Sequence, residues 1–257
     1  VQARHDGSAW VLDTPQGPVR ARHLVAATGG HNRPVVPAIH REQVTLRELH
    51  ASALRDPAEL RGQDVLVVGG GASAFDLIEQ ALQHEARRVQ WVHRGLKWFL
   101  PTSKPKHIAG SVRGFSRLQM SGMDVDQQNE AMRADMLGRY AKFGIQALQP
   151  AQPFDVRHDQ LIPGRPRLLA QFASLDRQVG TVAAIEGDQV TLDDGSRRRA
   201  DVLLWGTGYA LDLGWLQVPA LAGVGSVNAL VARCGCVVRS LDAPDLYFPG
   251  VGLDGVG

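Results

Sequence analysis

The alternation of apolar and polar positions is clearest between residues 64 and 94. Val65–Val68 is a four-residue apolar run, with the length and composition of a buried parallel strand. After three glycines, Ala72–Glu85 carries apolar residues at a helical spacing, namely Phe75, Ile78, Ala81 and Leu82. Val89–Val92 has the composition of a second strand. The pattern predicts a βαβ unit, in which the pyrophosphate of a dinucleotide binds at a helix N-terminus.

Weaker patterns predict the elements on either side of this unit. Three short β-rich runs, at 9–14, 19–21 and 23–27, predict a small antiparallel meander that leads into Leu24–Gly30. An amphipathic helix is predicted over Asp126–Phe143, and its methionines are interpreted as core residues. Further strands are predicted at 180–185, 189–192 and 202–205, with a hairpin turn at Asp193–Gly195 before the solvated run Arg197–Arg199.

The glycines between the first strand and the helix have separate tasks. Gly69 permits a tight turn, and Gly71 lets a pyrophosphate approach the backbone without meeting a Cβ atom. Ala74 stands where only a small residue lets the helix pack close to the strand, and Ser73 offers a hydroxyl and an amide. The turn follows a strand and opens a helix, which favours a dinucleotide site over an ordinary glycine-rich turn. We assign cofactor binding to Gly69, Gly71, Ala72, Ser73 and Ala74.

The residues after the second strand indicate which dinucleotide is bound. An NAD site places Asp or Glu about 20 residues beyond the glycines, where it binds the ribose 2′-hydroxyl. No carboxylate occurs from Val89 through Lys97, and the segment offers His93, Arg94 and Lys97 instead. A guanidinium suits the 2′-phosphate that distinguishes NADP. The segment therefore predicts NADPH, with a merely solvated basic turn as the alternative.

Composition narrows the classes of function further. The 257 residues are 44% apolar and 21% charged, which is typical of a globular α/β protein. A net charge of +2 is too small to indicate nucleic acid or an anionic membrane surface. No apolar stretch reaches the roughly 18 residues that a transmembrane helix needs. The two cysteines, Cys234 and Cys236, favour a reducing, cytoplasmic compartment, and their spacing lacks the gap of a redox pair.

Two further clusters of polar residues are not assigned to a binding site. Asp155, His158 and Asp159 have metal-binding side chains, but no cysteine or further histidine lies nearby, so no metal is predicted. A basic stretch follows the second strand. Three interpretations stay open for it: it extends the phosphate-binding surface, it lines a substrate channel, or it forms a solvated loop. It contains Lys104, Lys106, His107, Arg113 and Arg117.

Four motifs in order resemble the flavin-containing monooxygenase family, over nearly the whole chain. They are Ala27-Thr28-Gly29 followed by Pro34 and Pro37, the turn Gly69-x-Gly71-x-Ser73-Ala74, the segment Leu204–Tyr209, and the segment Leu246–Gly250. The resemblance implies an α/β fold in which a Rossmann-like NADPH-binding domain, residues 39–200, is nested in part of an FAD-binding domain, residues 1–38 and 201–257. Within that arrangement Thr28, Gly29, Thr207 and Gly208 lie at the domain junction.

The family's N-terminal glycine fingerprint for FAD is not found in this chain. The sequence starts at Val1 rather than at Met and ends on the glycine-rich segment 250–257. We therefore expect an internal piece of a longer protein, which by itself binds FAD poorly and purifies colourless.

The resemblance also implies an activity. It implies an FAD-dependent, NADPH-using monooxygenase that inserts one oxygen atom of O₂ into a small-molecule substrate through a peroxyflavin. No side chain is assigned as a catalytic acid or base, because the cofactors carry the chemistry. Two alternatives stay open: an NADPH-dependent flavin reductase or disulfide-reductase-like enzyme, which would need a redox-active cysteine pair, and a non-catalytic NADPH-binding module.

One motif of the resembled family is only partly present. Its Phe-x-Gly-x-x-x-His-x-x-x-aromatic pattern keeps His50, while Val44, Leu46 and Leu54 occupy the Phe, Gly and aromatic positions. The interpretations of His50 are a structural histidine and a catalytic one.

Overall fold

The computed structural model describes residues 1–101, 121–157, 159, 162–235 and 239–250. The chain forms two compact units. The first contains Val1–Pro34 and the described residues from Tyr209 onward, and the second contains Val35–Gly208.

Short strands dominate the described part of the chain. In chain order they are β1 (Gln2–His5), β2 (Trp10–Thr14), β3 (Gly17–Ala21), β4 (Leu24–Val25), β5 (Arg33–Pro34), β6 (His40–Glu42), β7 (Arg47–His50), β8 (Asp64–Val68), β9 (Arg88–His93), β10 (Phe99–Leu100), β11 (Ile162–Pro163), β12 (Asp176–Val179), β13 (Val182–Glu186), β14 (Gln189–Leu192), β15 (Arg197–Arg199), β16 (Val202–Trp205), β17 (Tyr209–Ala210) and β18 (Leu246–Tyr247). The α-helices are α1 (Ala72–Gln83), α2 (Val125–Lys142), α3 (Pro166–Gln171) and α4 (Val227–Val231), and 3₁₀ turns cover 51–53, 57–60, 146–148, 172–174 and 219–221.

The first unit is built on three small sheets. β1, β2 and β3 form an antiparallel sheet in that order, β4 pairs in parallel with β18, and β5 pairs with β17. Strand β1 was not predicted from the sequence. Only one of its four residues, Ala3, is buried, so Gln2–His5 has no apolar alternation that would indicate a strand. Trp10 and Phe248 are among the buried side chains of this unit's apolar core.

The second unit is organised on a five-stranded parallel sheet in the order β12-β9-β8-β16-β7. Strand β8, helix α1 and strand β9 form the predicted βαβ unit, with Val65 opposite Val89 in the register. One face of the sheet packs against α1 and α2, where Met132 and Met136 are buried as predicted. The other face packs against a second sheet, in the order β15-β14-β13-β6.

The structure corrects one expectation about the domain boundary. Val202–Trp205 was expected to return to the FAD-binding domain, but β16 lies beside β8 inside the second unit. All four of its residues are buried, and the strand has a parallel neighbour on each side. A continuous apolar strand of this kind needs both faces covered, which an interior position in the sheet provides. Residues 35–38 also belong to the second unit.

No helix among the described residues has the length and apolarity required to cross a lipid bilayer.

Candidate nucleotide-binding site

The turn Gly69–Gly71, called the glycine turn below, leaves the carboxyl end of β8. Gly69 has φ +140°, a conformation that residues with a side chain rarely adopt. A Cβ atom there would also lie 2.7 Å from the carbonyl carbon of Gly206. The Gly69 carbonyl accepts a hydrogen bond of 2.7 Å from the Trp91 indole. The first glycine is therefore required both by its backbone conformation and by its neighbours.

Helix α1 packs directly on the segment that follows β16. A Cβ atom on Gly206 would lie 2.6 Å from the Ala74 Cα and 2.8 Å from the Ala74 Cβ. Ala74 is completely buried, so a larger residue would separate the helix from the sheet. This confirms that the third position of the motif needs a small side chain. Gly206, in the segment after β16, is the matching requirement; it belongs to the motif Leu204–Tyr209, but no role was predicted for it from the sequence.

The N-terminus of α1 offers backbone amides to a ligand. Gly71 is the N-cap and has no side chain with which to cap the helix. The first bond of the helix runs from Phe75 N to Gly71 O, at 3.1 Å. Within the described residues, the amides of Ala72, Ser73 and Ala74 have no hydrogen-bond partner. The exposed amide of Ala72, the partly exposed amide of Ser73 and the positive end of the helix dipole form an anion site, whereas Ala74 is completely buried against Gly206.

A basic segment, Arg94–Lys97, crosses the glycine turn. Lys97 N donates to Gly70 O at 2.7 Å. A Cβ atom on Gly70 would overlap the carbonyl oxygen of Gly95 and lie 3.3 Å from the Leu96 Cα. Gly70 therefore has to be glycine because another backbone lies against it. The sequence shows Gly70 as the middle one of three consecutive glycines, but no role was predicted for it.

This crossing brings the predicted cations to the predicted turn. The Lys97 Cγ lies 3.7 Å from the Cβ position of Gly71, which is an ordinary van der Waals contact. Arg94 directly follows β9, and both Arg94 and Lys97 are exposed. Among the ion pairs of the described residues, neither side chain takes part. Their charges are not neutralised by that part of the protein.

His93 does not belong to this basic segment, contrary to its grouping with Arg94 and Lys97 in the sequence analysis. The side chain is 4% exposed, and its ring lies 5.0 Å from that of Trp91 on the same face of β9. Neither ring nitrogen has a hydrogen-bond partner among the residues that the structure describes. Burial, and secondarily the charge of Arg177, lowers the pKa of His93 to about 4. The ring is therefore neutral near pH 7. It is buried because β9 is an interior strand of the sheet, with both of its faces covered.

His50 is a buried structural histidine at the end of β7. Its Nε2 lies 2.9 Å from Gly208 O and therefore carries the proton. Its Nδ1 then accepts from Ser52 N at 3.2 Å and from Ser52 Oγ at 3.0 Å. Gly208 O also accepts from Val35 N at 3.1 Å, and the Thr207 hydroxyl donates to Val35 O. These bonds hold the segment after β16 within the second unit.

The other four predicted cofactor-binding residues belong to different units. Thr207 and Gly208 end the second unit, and Gly206, just before them, lies against the glycine turn. Thr28 and Gly29 are exposed residues of the first unit.

The other clusters named from the sequence give no metal site in the part of the chain that the structure describes. No group of three or more His, Cys, Asp or Glu side chains is arranged for a metal ion there. Asp155 N donates to the Asp159 carboxylate at 2.9 Å, while His158 and Cys236 lie outside the described residues. The basic stretch from Lys104 to Arg117 lies outside them as well.

The sheet order and the glycine turn define the second unit as a dinucleotide-binding α/β domain. Residues 1–131 match the family described as pyridine nucleotide-disulphide oxidoreductase, and the chain belongs to this family.

The proteins to which the chain is similar include monooxygenases. The chain is 23% identical over 225 residues to a Baeyer-Villiger monooxygenase of Streptomyces coelicolor, covering 78% of this chain and 43% of the relative. A flavin-containing monooxygenase from Stenotrophomonas maltophilia shares the fold, with a TM-score of 0.58, 18% identity, 98% coverage of this chain and 61% of that chain. OTEMO, solved in complex with FAD and NADP, has a TM-score of 0.68 and 13% identity, over 96% of this chain and 60% of that chain.

These likenesses confirm the resemblance to flavin-containing monooxygenases that the motifs indicated. The chain spans between two fifths and two thirds of the length of these three proteins, at 43%, 61% and 60%.

Proposed function

We propose that the second unit binds NADPH at the glycine turn. The pyrophosphate is bound by the free amides of Ala72 and Ser73 at the N-terminus of α1, beside Gly69 and Gly71, and buried Ala74 lets the helix pack close to the sheet there. The 2′-phosphate is bound by Arg94, at the end of the second strand of the βαβ unit. The observation that carries the proposal is the crossing of the basic segment over the turn, through Lys97 N and Gly70 O.

The charge distribution favours NADPH over NADH. The sequence contains no Asp or Glu between Glu85 and Asp124, so the position that would bind a ribose 2′-hydroxyl has no carboxylate. A guanidinium in the same region attracts a phosphate dianion through charge-assisted hydrogen bonds. His93 adds no positive charge near neutral pH, because burial lowers the pKa of its ring to about 4.

We further propose that this unit serves an FAD-dependent monooxygenase acting on a small-molecule substrate with O₂. The relative named a Baeyer-Villiger monooxygenase and the fold shared with OTEMO, which is solved with FAD and NADP, support this activity. Bound flavin would supply the oxygen chemistry. The task of this chain's residues is then to bind NADPH and orient it. Thr28 and Gly29 of the first unit, and Thr207 and Gly208 of the second, are each proposed as cofactor-binding residues.

One experiment tests the cofactor choice. Replacing Arg94 with Gln should weaken NADPH binding by about 1–3 kcal/mol, the range of a charged hydrogen bond, and leave NADH binding nearly unchanged. Dissociation constants for both nucleotides, measured for the wild type and the variant, provide the comparison. Equal losses for NADPH and NADH would reject the role of Arg94.

A second experiment separates the proposed activity from its alternatives. The longer protein, supplied with FAD, should oxidise NADPH, consume O₂ and yield an oxygenated product. Reduction of a dye or disulfide without oxygenated product would indicate a reductase. Nucleotide binding without oxidation would indicate a binding module.

A further inference from the structure

We propose that Lys97 binds the pyrophosphate and not the 2′-phosphate, so that it strengthens NADPH and NADH binding alike. Arg94 alone then discriminates between the two nucleotides. This assignment rests on the proposed function and adds a division of work between the two cations of the basic segment.

The contact of the Lys97 side chain is the first argument. Its Cγ lies 3.7 Å from the Cβ position of Gly71, and among the described residues that are distant from Gly71 in the chain it is the one atom within 4 Å of that position. Gly71 is the second glycine of the motif, the position at which a bare backbone lets the pyrophosphate approach. The Lys97 stem therefore lies beside the place where the pyrophosphate approaches, and Cδ, Cε and Nζ extend beyond this contact.

The backbone of Lys97 is also fixed at the turn. Its N–H donates to Gly70 O at 2.7 Å, and the Gly95 backbone lies against Gly70. Arg94 precedes this crossing and directly follows His93, the last residue of β9. The end of this strand is where dinucleotide sites select the group on the ribose 2′ position. The two cations thus occupy different places in the site.

The chemistry of the two side chains agrees with these places. A lysine ammonium is a compact charge on a flexible stem and suits a bridging phosphate approached from the side. An arginine fork suits a terminal phosphate monoester, which can accept two parallel hydrogen bonds. The nearest acid of α1, Asp76, is paired with Arg165 at 2.5 Å and so has a cation of its own.

The test compares binding of NADP⁺ and NAD⁺ to the full 257-residue chain at one fixed ionic strength. Isothermal titration calorimetry is applied to the wild type, Lys97→Met and Arg94→Met. Lys97→Met keeps the stem and removes the charge, and it should weaken NADP⁺ and NAD⁺ by the same factor, about tenfold. Arg94→Met should weaken NADP⁺ only. Lys142→Met, in the last turn of α2, is the matched control and should change neither constant.

Each outcome decides the assignment. Loss of NADP⁺ binding alone in Lys97→Met would place Lys97 on the 2′-phosphate and overturn the assignment, while the proposed function would stand. Unchanged constants for both nucleotides would overturn it as well. A wild-type chain that binds neither nucleotide would refute the proposed function and this assignment together. If Lys97→Met does not fold, Lys97→Arg keeps the charge and should retain both affinities within about threefold; a selective loss of NADP⁺ there would again overturn the assignment.

Discussion

The glycine with no assigned role, Gly70, provides the sharpest test of the site's architecture. In Gly70→Ala, the new Cβ atom would overlap Gly95 O and lie 2.9 Å from the Gly95 carbonyl carbon. These are backbone atoms, so no rotamer change relieves the overlap. The basic segment has to move away from the turn, and the 2.7 Å bond from Lys97 N to Gly70 O is lost with it.

The magnitude follows from these two effects. Losing the hydrogen bond costs about 0.5–1.5 kcal/mol. Forcing an extra methyl group into a packed site costs about 1–3 kcal/mol. We therefore expect Gly70→Ala to lower the free energy of unfolding by about 2–4 kcal/mol. Urea unfolding followed by tryptophan fluorescence measures this difference.

Gly71→Ala is the matched control, one residue along the turn. Its Cβ atom meets Lys97 Cγ at 3.7 Å and nothing closer, and φ at this residue is −123°. The stability loss should stay below about 1 kcal/mol, the typical penalty for alanine at an N-cap. The variant should nevertheless bind nucleotide poorly, because the methyl group stands where the pyrophosphate approaches. If Gly70→Ala is as stable as Gly71→Ala, the basic segment does not cross the turn as described.

Two further predictions concern buried polar residues. Because burial lowers the pKa of His93 to about 4, the unfolded chain takes up the proton first as the pH falls. Stability should therefore decrease between pH 7 and pH 4, by up to about 3 kcal/mol, and His93→Phe should remove that contribution; the same pH dependence in both proteins would contradict the reasoning. Glu79 accepts from Arg167 N at 2.9 Å and from Leu168 N at 3.0 Å, and so caps α3 from α1. Glu79→Ala should cost about 1–3 kcal/mol in urea unfolding, and Glu79→Gln clearly less, since it keeps an acceptor; equal losses would show that the cap does not depend on an acceptor oxygen.

The parts of the site that could be predicted from the sequence are local. The strand, the glycines and the helix follow one another within 20 residues, so periodicity and turn chemistry were sufficient to predict the βαβ unit. The free amides at the start of α1 follow from the same local order. The cations after β9 could be assigned to the site because the second strand of such a unit ends beside the first.

The parts that could not be predicted depend on contacts between distant residues. Position 70 has to be glycine because the Gly95 backbone lies against it, and position 206 has to be glycine because Ala74 packs against it. Val202–Trp205 is an apolar run of the kind found in any buried parallel strand. Its composition therefore does not indicate that it pairs with β8. His93 was grouped with the exposed cations because it precedes Arg94, but β9 is an interior strand covered on both faces, and the His93 ring packs beside Trp91.

The central claim is that nucleotide phosphate binds to the amides at the start of α1. Amide NMR of the chain, titrated with NADP⁺, observes those groups directly. We expect the largest shift changes at Ala72 and Ser73, with smaller changes at Arg94 and Lys97. Saturable binding that leaves these four amides unshifted, while residues elsewhere respond, would contradict the account.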